Sequence, residues 1–225
     1  YEYAKNSHYW QERLSWDPYL IHPVEATEIL LSIKPDLLTI QACLLHDVIE
    51  DTPKTEDDIK KDFWDEVAFL CWWMEKLSKV KYRWEERNIW SLRKMFIAMA
   101  EDLRVIFIKL ADRLHNMKTL KHHPKKEKRE RIALETLNIY APIADRLSLY
   151  YFKNALDEEC FNILEPTKYR KLKKELKILE PDILLFTSNA KKEIENIFDW
   201  KLEKYEIDFR VKSMYSIHKK LQKKW

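Results

Sequence analysis

Glycine is absent from all 225 residues of this chain, where average usage of about 7% would supply roughly sixteen. The absence removes the residue that enters positive φ at least cost, so a turn needing a left-handed residue has to use one with a side chain. Tryptophan is abundant instead, with nine copies. Several stand at turn-like places such as Ser15-Trp16-Asp17-Pro18 and Phe63-Trp64-Asp65. Cysteine is scarce. Cys43, Cys71 and Cys160 are odd in number, far apart and without CxxC spacing, which argues against a disulfide framework and a zinc cluster and fits a reducing cytoplasm. There is no signal peptide and no apolar run of membrane-spanning length; Ile183-Leu184-Leu185-Phe186, bounded by Asp182 and Thr187, is far too short. A strong net charge is missing too. The 41 basic and 38 acidic residues are interspersed and leave only +3, so the molecule has no general attraction to nucleic acid or membrane and any anion site has to be local.

What is present describes a folded protein of ordinary composition, with 46% hydrophobic and 35% charged residues. The length suffices for one good core and the start of a second domain. A start at Tyr1 without Met and an end in the basic run Lys223-Lys224-Trp225 suggest a piece of a longer protein. The texture is helical, with Pro-marked breaks and no recurrent strand-type alternation. Pro23 suits a first helical turn, and Pro35 separates that helix from one expected over Leu37–Ile49. Thr55-Glu56-Asp57-Asp58 has the look of a capped helix start. A further amphipathic helix is expected over Asn88–Ala100. Leu103–Leu110 is apolar and β-branched enough to pass for a strand, but Asp112, Asn116 and Thr119 continue one face at helical spacing, which favours a buried helix. Pro166 and Pro181 punctuate a helical connector, and Tyr205–Val211 is the one convincing strand candidate.

The chemistry concentrates in His46-Asp47-Val48-Ile49-Glu50-Asp51-Thr52, answered by Asp112 in Lys109-Leu110-Ala111-Asp112-Arg113-Leu114-His115-Asn116. On a helix His46 stacks with Glu50 and Asp47 with Asp51, which gathers one imidazole and three carboxylates beside an apolar surface. Such a cluster is costly without positive charge among its members, and a divalent cation is the simplest source. His22, His46, Asp47 and Asp112 make a mixed nitrogen and oxygen ligand set without thiolates, suited to Mn²⁺ or Fe²⁺ at least as well as to Zn²⁺. Glu50 and Asp51 are then candidates to hold and deprotonate a water and to protonate a leaving oxygen. The plainer alternative makes them a solvated helix end paired with Lys54. Arg13, on position alone, reads as a surface cation.

Five ordered motifs resemble the N-terminal hydrolase domain of RelA/SpoT homologues, the enzymes of the alarmone (p)ppGpp. They are His8 with Gln11–Pro23, Leu44–Thr52, Leu92–Met95, Ile108–Leu120 and Tyr140–Leu147, while Arg210–Leu221 resembles the opening of the family's synthetase domain. The resemblance implies an all-α HD-domain helical fold over 1–165, a helical connector over 166–195 and the first elements of a truncated α/β synthetase domain over 196–225. It implies removal of the 3′-pyrophosphate of (p)ppGpp with Mn²⁺ held by His22, His46, Asp47 and Asp112. Glu50 and Asp51 would handle water and proton transfer. Arg13 would lie against the guanine ring, with Ser15, Asn116 and Thr119 helping to hold the nucleotide. Family members specialised for synthesis have lost the hydrolase residues, and here they are intact. The implied protein is cytoplasmic and contacts no membrane; a ribosome or other regulators would engage it only through C-terminal regions beyond Trp225. Hydrolysis without synthesis is expected of the chain as it stands, because the acids the synthetase chemistry needs lie further along in the family.

The departures from the family pattern involve glycine: Trp10, Trp16, Trp64, Trp73 and Trp225 stand where the family usually has it, and so does Ser148. One reading is that the source organism decodes UGA as glycine, which the codon at position 16 decides. Two rival functions share parts of the pattern. An HD-domain phosphohydrolase of another nucleotide would keep the metal ligands without needing the Arg13 loop. A helical module binding RNA or a ribosome through Lys125–Arg131 and Lys212–Lys224 would need no metal, and the net charge of +3 disfavours it.

Overall fold

The computed structural model describes residues 1–14, 16–78, 93, 95–198, 205, 207 and 212–223. The chain divides into two compact units, Tyr1–Ile163 and Leu164–Trp225. The described residues are helical apart from loops and one isolated antiparallel bridge between Glu12 and Pro18. Of the expected helix over Asn88–Ala100, residues 88–92 and 94 lie outside the described residues, while 93 and 95–101 are helical, the latter labelled α7; most of the strand expected over Tyr205–Val211, and Ser15, lie outside the described residues.

In the first unit, α1 is Glu2–Ser7, α2 is Ile21–Leu30, α3 is Leu37–Leu45 and α4 is the single turn Val48–Asp51. Pro23 lies in the first turn of α2, where a backbone N–H is not owed to the helix. Asp36 caps α3 by accepting the Thr39 N–H at 2.8 Å. α5 (Glu56–Asp62) opens with the expected capping box, Thr55 and Asp58 satisfying each other's backbone N–H groups. α6 (Asp65–Ser78) follows, then α7 and α8 (Leu103–Thr119). α8 is the central rod. Val105, Ile106, Ile108, Leu110, Ala111 and Leu114 are fully buried on it, which accounts for its strand-like apolar sequence. It packs against α2 and α6, and α3 packs against both α2 and α6. α9 (Lys126–Glu135) runs through a π-helical turn, Thr136–Tyr140, into α10 (Ala141–Arg146), and α11 is Tyr150–Leu164.

The helix expected over Leu37–Ile49 is interrupted. α3 ends at Leu45, α4 begins at Val48, and Asp47 at φ −93, ψ −6 lies in the break. The carbonyl of Cys43, which a continuing helix would offer to its own backbone, accepts the imidazole Nδ1–H of His46 at 2.7 Å. His46, Asp47, Glu50 and Asp51 therefore do not ride one unbroken helix, although they remain neighbours.

In the second unit, α12 (Pro166–Phe198) begins at a proline and α13 is Met214–Lys223. Pro181, expected as a break, lies inside α12 without ending it. A proline removes one ladder bond and crowds the preceding turn, and a helix with several turns on either side persists through that loss.

Candidate metal centre

Three elements of the first unit converge on one point. The first turn of α2 supplies His22, the break between α3 and α4 supplies His46 and Asp47, and α8 supplies Asp112. Ligand atoms of His22, His46 and Asp112 all lie within 4.8 Å of one another, and all three residues are buried. Asp47 completes the group: its carboxylate oxygens stand 3.3 Å from His22 Nε2 and 3.1 Å from His46 Nε2. Asp112 Oδ1 lies 3.3 Å from His22 Nε2 and 3.9 Å from His46 Nε2. All four expected ligands are thus brought together.

The donor set fits a divalent cation. His46 gives its Nδ1–H to the Cys43 carbonyl, which leaves Nε2 to carry the lone pair. That Nε2 is buried and has no hydrogen-bond partner among the described residues, yet it faces two carboxylates. A lone pair and two anions aimed at one point want positive charge between them. Titration directions agree. Burial works to raise the Asp47 carboxyl, but His46 and then His22 outweigh it and hold the group below the usual carboxylate range. For Asp112, burial is outweighed first by the Lys109 ammonium and then by the two histidines. Burial works to lower His22, and its hydrogen bonds to Asp112 and Asp47 raise it nonetheless.

Residues not expected from their chemistry alone frame this centre. Lys109 Nζ, buried, donates to Asp112 Oδ2 at 2.8 Å and to Ser78 Oγ at 3.0 Å. Glu50 lies on the same side, beside Ser78, and burial, the leading cause, raises its carboxyl above the ordinary value. Tyr19 O–H bridges the two acids, 2.7 Å from Asp47 Oδ2 and 2.5 Å from Asp51 Oδ2. Gln11 Nε2 donates to the Asp51 carbonyl. Asp51 is thereby fastened to the candidate ligand Asp47 through Tyr19, and no ion pair with Lys54 forms; the Lys54 ammonium sits over the Tyr3 ring instead, 5.5 Å from its centroid. Tyr19 and Lys109 both stand inside the motifs the sequence singles out, but a tyrosine in a loop and a lysine on an apolar helix carry no local signal of such contacts.

A cleft of about 410 Å³ opens beside Asp112, a size that suits a small-molecule ligand. Arg13, Lys109, Arg113, Asn116, Thr119, Lys128 and Arg131 line it, with Glu135 as a local counter-charge. Arg13 reaches it from a loop closed by Arg13 N–H to Asp17 C=O and Tyr19 N–H to Gln11 C=O, at 3.0 and 2.9 Å. Its guanidinium donates to Asn116 Oδ1 at 2.9 Å and lies 5.8 Å from the Tyr19 ring centroid. Asn116 in turn donates to Asp112 Oδ1. Arg13 is therefore not a solitary surface cation. Across the cleft the π-helical turn presents Tyr140, whose hydroxyl accepts from Arg113 at 2.7 Å.

The family model described as HD domain matches residues 1–150. The chain is 42% identical over 229 residues to the bifunctional (p)ppGpp synthase/hydrolase SpoT of Escherichia coli (strain K12), covering 98% of this chain and 32% of that protein. It is 40% identical over 226 residues to the GTP pyrophosphokinase of Myxococcus xanthus, covering 99% and 30%. It thus spans about a third of the length of these curated relatives. A solved structure, described as a metazoan ortholog of SpoT that hydrolyzes ppGpp, superposes with a TM-score of 0.58 at 27% identity, over 72% of this chain and 90% of that one. The matched span takes in His22, His46, Asp47 and Asp112 together, and the chain belongs to the HD-domain family.

Proposed function

We propose that the first unit is a metal-dependent phosphohydrolase that cleaves the 3′-pyrophosphate of (p)ppGpp, yielding GDP or GTP and pyrophosphate. The relatives carry names for both making and breaking the alarmone, so identity alone does not choose between the two activities. The observation that supports hydrolysis is the convergence of two histidines and two aspartates, with Glu50 and Asp51 alongside, at the edge of a basic cleft.

In this reading His22, His46, Asp47 and Asp112 hold the cation, and a nitrogen and oxygen set without thiolates suits Mn²⁺. When bound, the metal polarises a water and a phosphoryl oxygen. Glu50, whose carboxyl is raised by burial, takes the proton of the attacking water and returns one to the departing 3′-oxygen. Asp51, held through Tyr19 and Gln11, orients that water. Arg13 offers its planar face to the guanine, with Ser15, Asn116 and Thr119 holding the nucleoside. The cations around the cleft offset the charge of the phosphates. The second unit corresponds to the connector over 166–195 and the opening of a synthetase domain over 196–225. A cytoplasmic setting is supported by three buried cysteines that remain free thiols.

Incubation with ppGpp and Mn²⁺, followed by product separation, tests the assignment. GDP and pyrophosphate in equal amounts are expected. Release of orthophosphate, or turnover of other nucleotides with ppGpp left intact, overturns it in favour of an HD-domain phosphohydrolase of another specificity.

A further inference from the structure

Behind His22, on the side away from the carboxylates, stands a hydrogen-bonded chain that the proposed reaction does not use. His22 Nδ1 lies 2.5 Å from His115 Nδ1, and His115 Nε2 lies 2.9 Å from Glu25 Oε2. His115 is 1% exposed, whereas the Glu25 side chain is about half exposed, at 51%. The chain thus runs from the buried centre to the surface in two steps.

We infer that Glu25 and His115 act as positioning residues that fix the tautomer and orientation of His22, and so set the affinity of the centre for a divalent cation. The inference rests on the reading of that centre as a metal site. Its logic is one of proton positions. Two ring nitrogens in hydrogen-bond contact share a single proton between them. If His22 presents an unprotonated Nε2 to the cation, its Nδ1 carries the hydrogen and donates it. His115 Nδ1 then has to be the acceptor, which places the His115 proton on Nε2. That Nε2–H points at Glu25, the one partner in the chain that only accepts when ionised. Each link therefore enforces the next, and the carboxylate at the surface selects the tautomer of a ligand two rings away. A ligating histidine whose second nitrogen is so held is a better donor and pays less to be oriented. His46 is served separately, by the Cys43 carbonyl, so the two imidazole ligands have independent supports.

The test is Mn²⁺ affinity, measured by electron paramagnetic resonance of the free ion, in the wild-type chain and in His115→Phe, His115→Gln and Glu25→Ala. His115→Phe keeps a ring in the packing but removes both hydrogen bonds, and should weaken Mn²⁺ about 10- to 100-fold. His115→Gln can accept from His22 and donate to Glu25, and should retain more of the affinity than the Phe variant. A packing role predicts the reverse order, with Phe tolerated and Gln not, and that order overturns the inference. Glu25→Ala lies at the half-exposed end, where folding is least at stake, and should weaken Mn²⁺ by a smaller factor. Nitrogen-15 spectra of the metal-free protein should show His115 as the Nε2–H tautomer; an Nδ1–H tautomer overturns the relay. Unchanged affinity in both His115→Phe and Glu25→Ala overturns the relay alone. Failure of the wild-type chain to bind Mn²⁺ overturns the metal-centre reading beneath it.

Discussion

At the scale of single residues, the proposed division between ligands and proton carriers separates variants cleanly. Asp47→Ala and Asp112→Ala should lose bound Mn²⁺ and activity together, since each removes a charged ligand and leaves two buried imidazoles without it. Glu50→Gln should keep most of the metal and lose turnover. Bound Mn²⁺ measured beside rate decides between them, and metal loss equal to that of Asp47→Ala would make Glu50 a ligand. Arg13→Ala should raise KM, by the equivalent of about 1 to 3 kcal/mol if the guanidinium stacks on the base. Arg13→Lys should restore little, because it keeps the charge without the plane. An unchanged KM in both variants would reject stacking. The candidate ligands were legible in sequence only as a set: His46-Asp47 alone is a weak signal, and Glu50, Asp51 and the distant Asp112 are what single the pair out. The residues that support them were not. Nothing in a sequence says that His115 turns toward His22 across 93 positions, or that Tyr19 finds two separate acids. The missing glycines are informative here as well. Positive φ occurs, among the described residues, at Trp16 (68°), Lys34 (53°) and Ser148 (58°), so two of the positions where glycine is expected do adopt the backbone that glycine favours. Trp73, another such position, buries an indole N–H without a partner among the described residues, the kind of defect a smaller residue would not create.

At the scale of elements, the end of α10 shows what that absence costs. Ser148 donates to the Asp145 carbonyl at 3.0 Å and Leu149 to the Ala144 carbonyl at 2.8 Å, the paired bonds of a Schellman cap, with Ser148 at its left-handed position. Serine there carries a Cβ against the following carbonyl, a penalty of about 1 kcal/mol. Ser148→Gly should therefore stabilise the protein and raise Tm by about 2 to 4 °C. Thermal unfolding checks this, and a lower Tm would mean that the serine side chain has a role the cap geometry does not reveal. Helix existence was mostly readable from periodicity and caps: Thr55 and Asp58 cap α5, and the apolar sequence of α8 is a buried helix. The break at His46-Asp47 was not, because no proline marks it. It arises where a side chain captures a backbone carbonyl, and the hydrophobic pattern runs straight across it.

At the scale of the whole molecule, the loop that carries Arg13 and the helix that carries Asp112 are mounted differently. Lys109, Asp112 and His115 project from one buried rod, α8, with apolar side chains packed along its length. Arg13 is carried instead by a loop near the amino terminus, closed by a few backbone bonds, where Leu14 is 64% and Trp16 84% exposed. Segments with few buried contacts open at a small fraction of the free energy of global unfolding, whereas amides on a central helix exchange only when nearly everything opens. The two halves of the site therefore have separate thermal thresholds. In urea well below the unfolding midpoint, the loop should open first, so KM for the nucleotide should climb as Arg13 leaves and kcat should fall as Asp51 loses Tyr19 and Gln11, while bound Mn²⁺ holds steady. Hydrogen exchange should show the same order, with the amides of Arg13 and Tyr19 exchanging long before those of Leu110 and Leu114. Loss of bound Mn²⁺ in step with the rise of KM would instead mean that loop and rod unfold as one cooperative body. An enzyme built this way, on warming or mild destabilisation, would fall silent with its metal still seated and would recover as soon as the loop closed again.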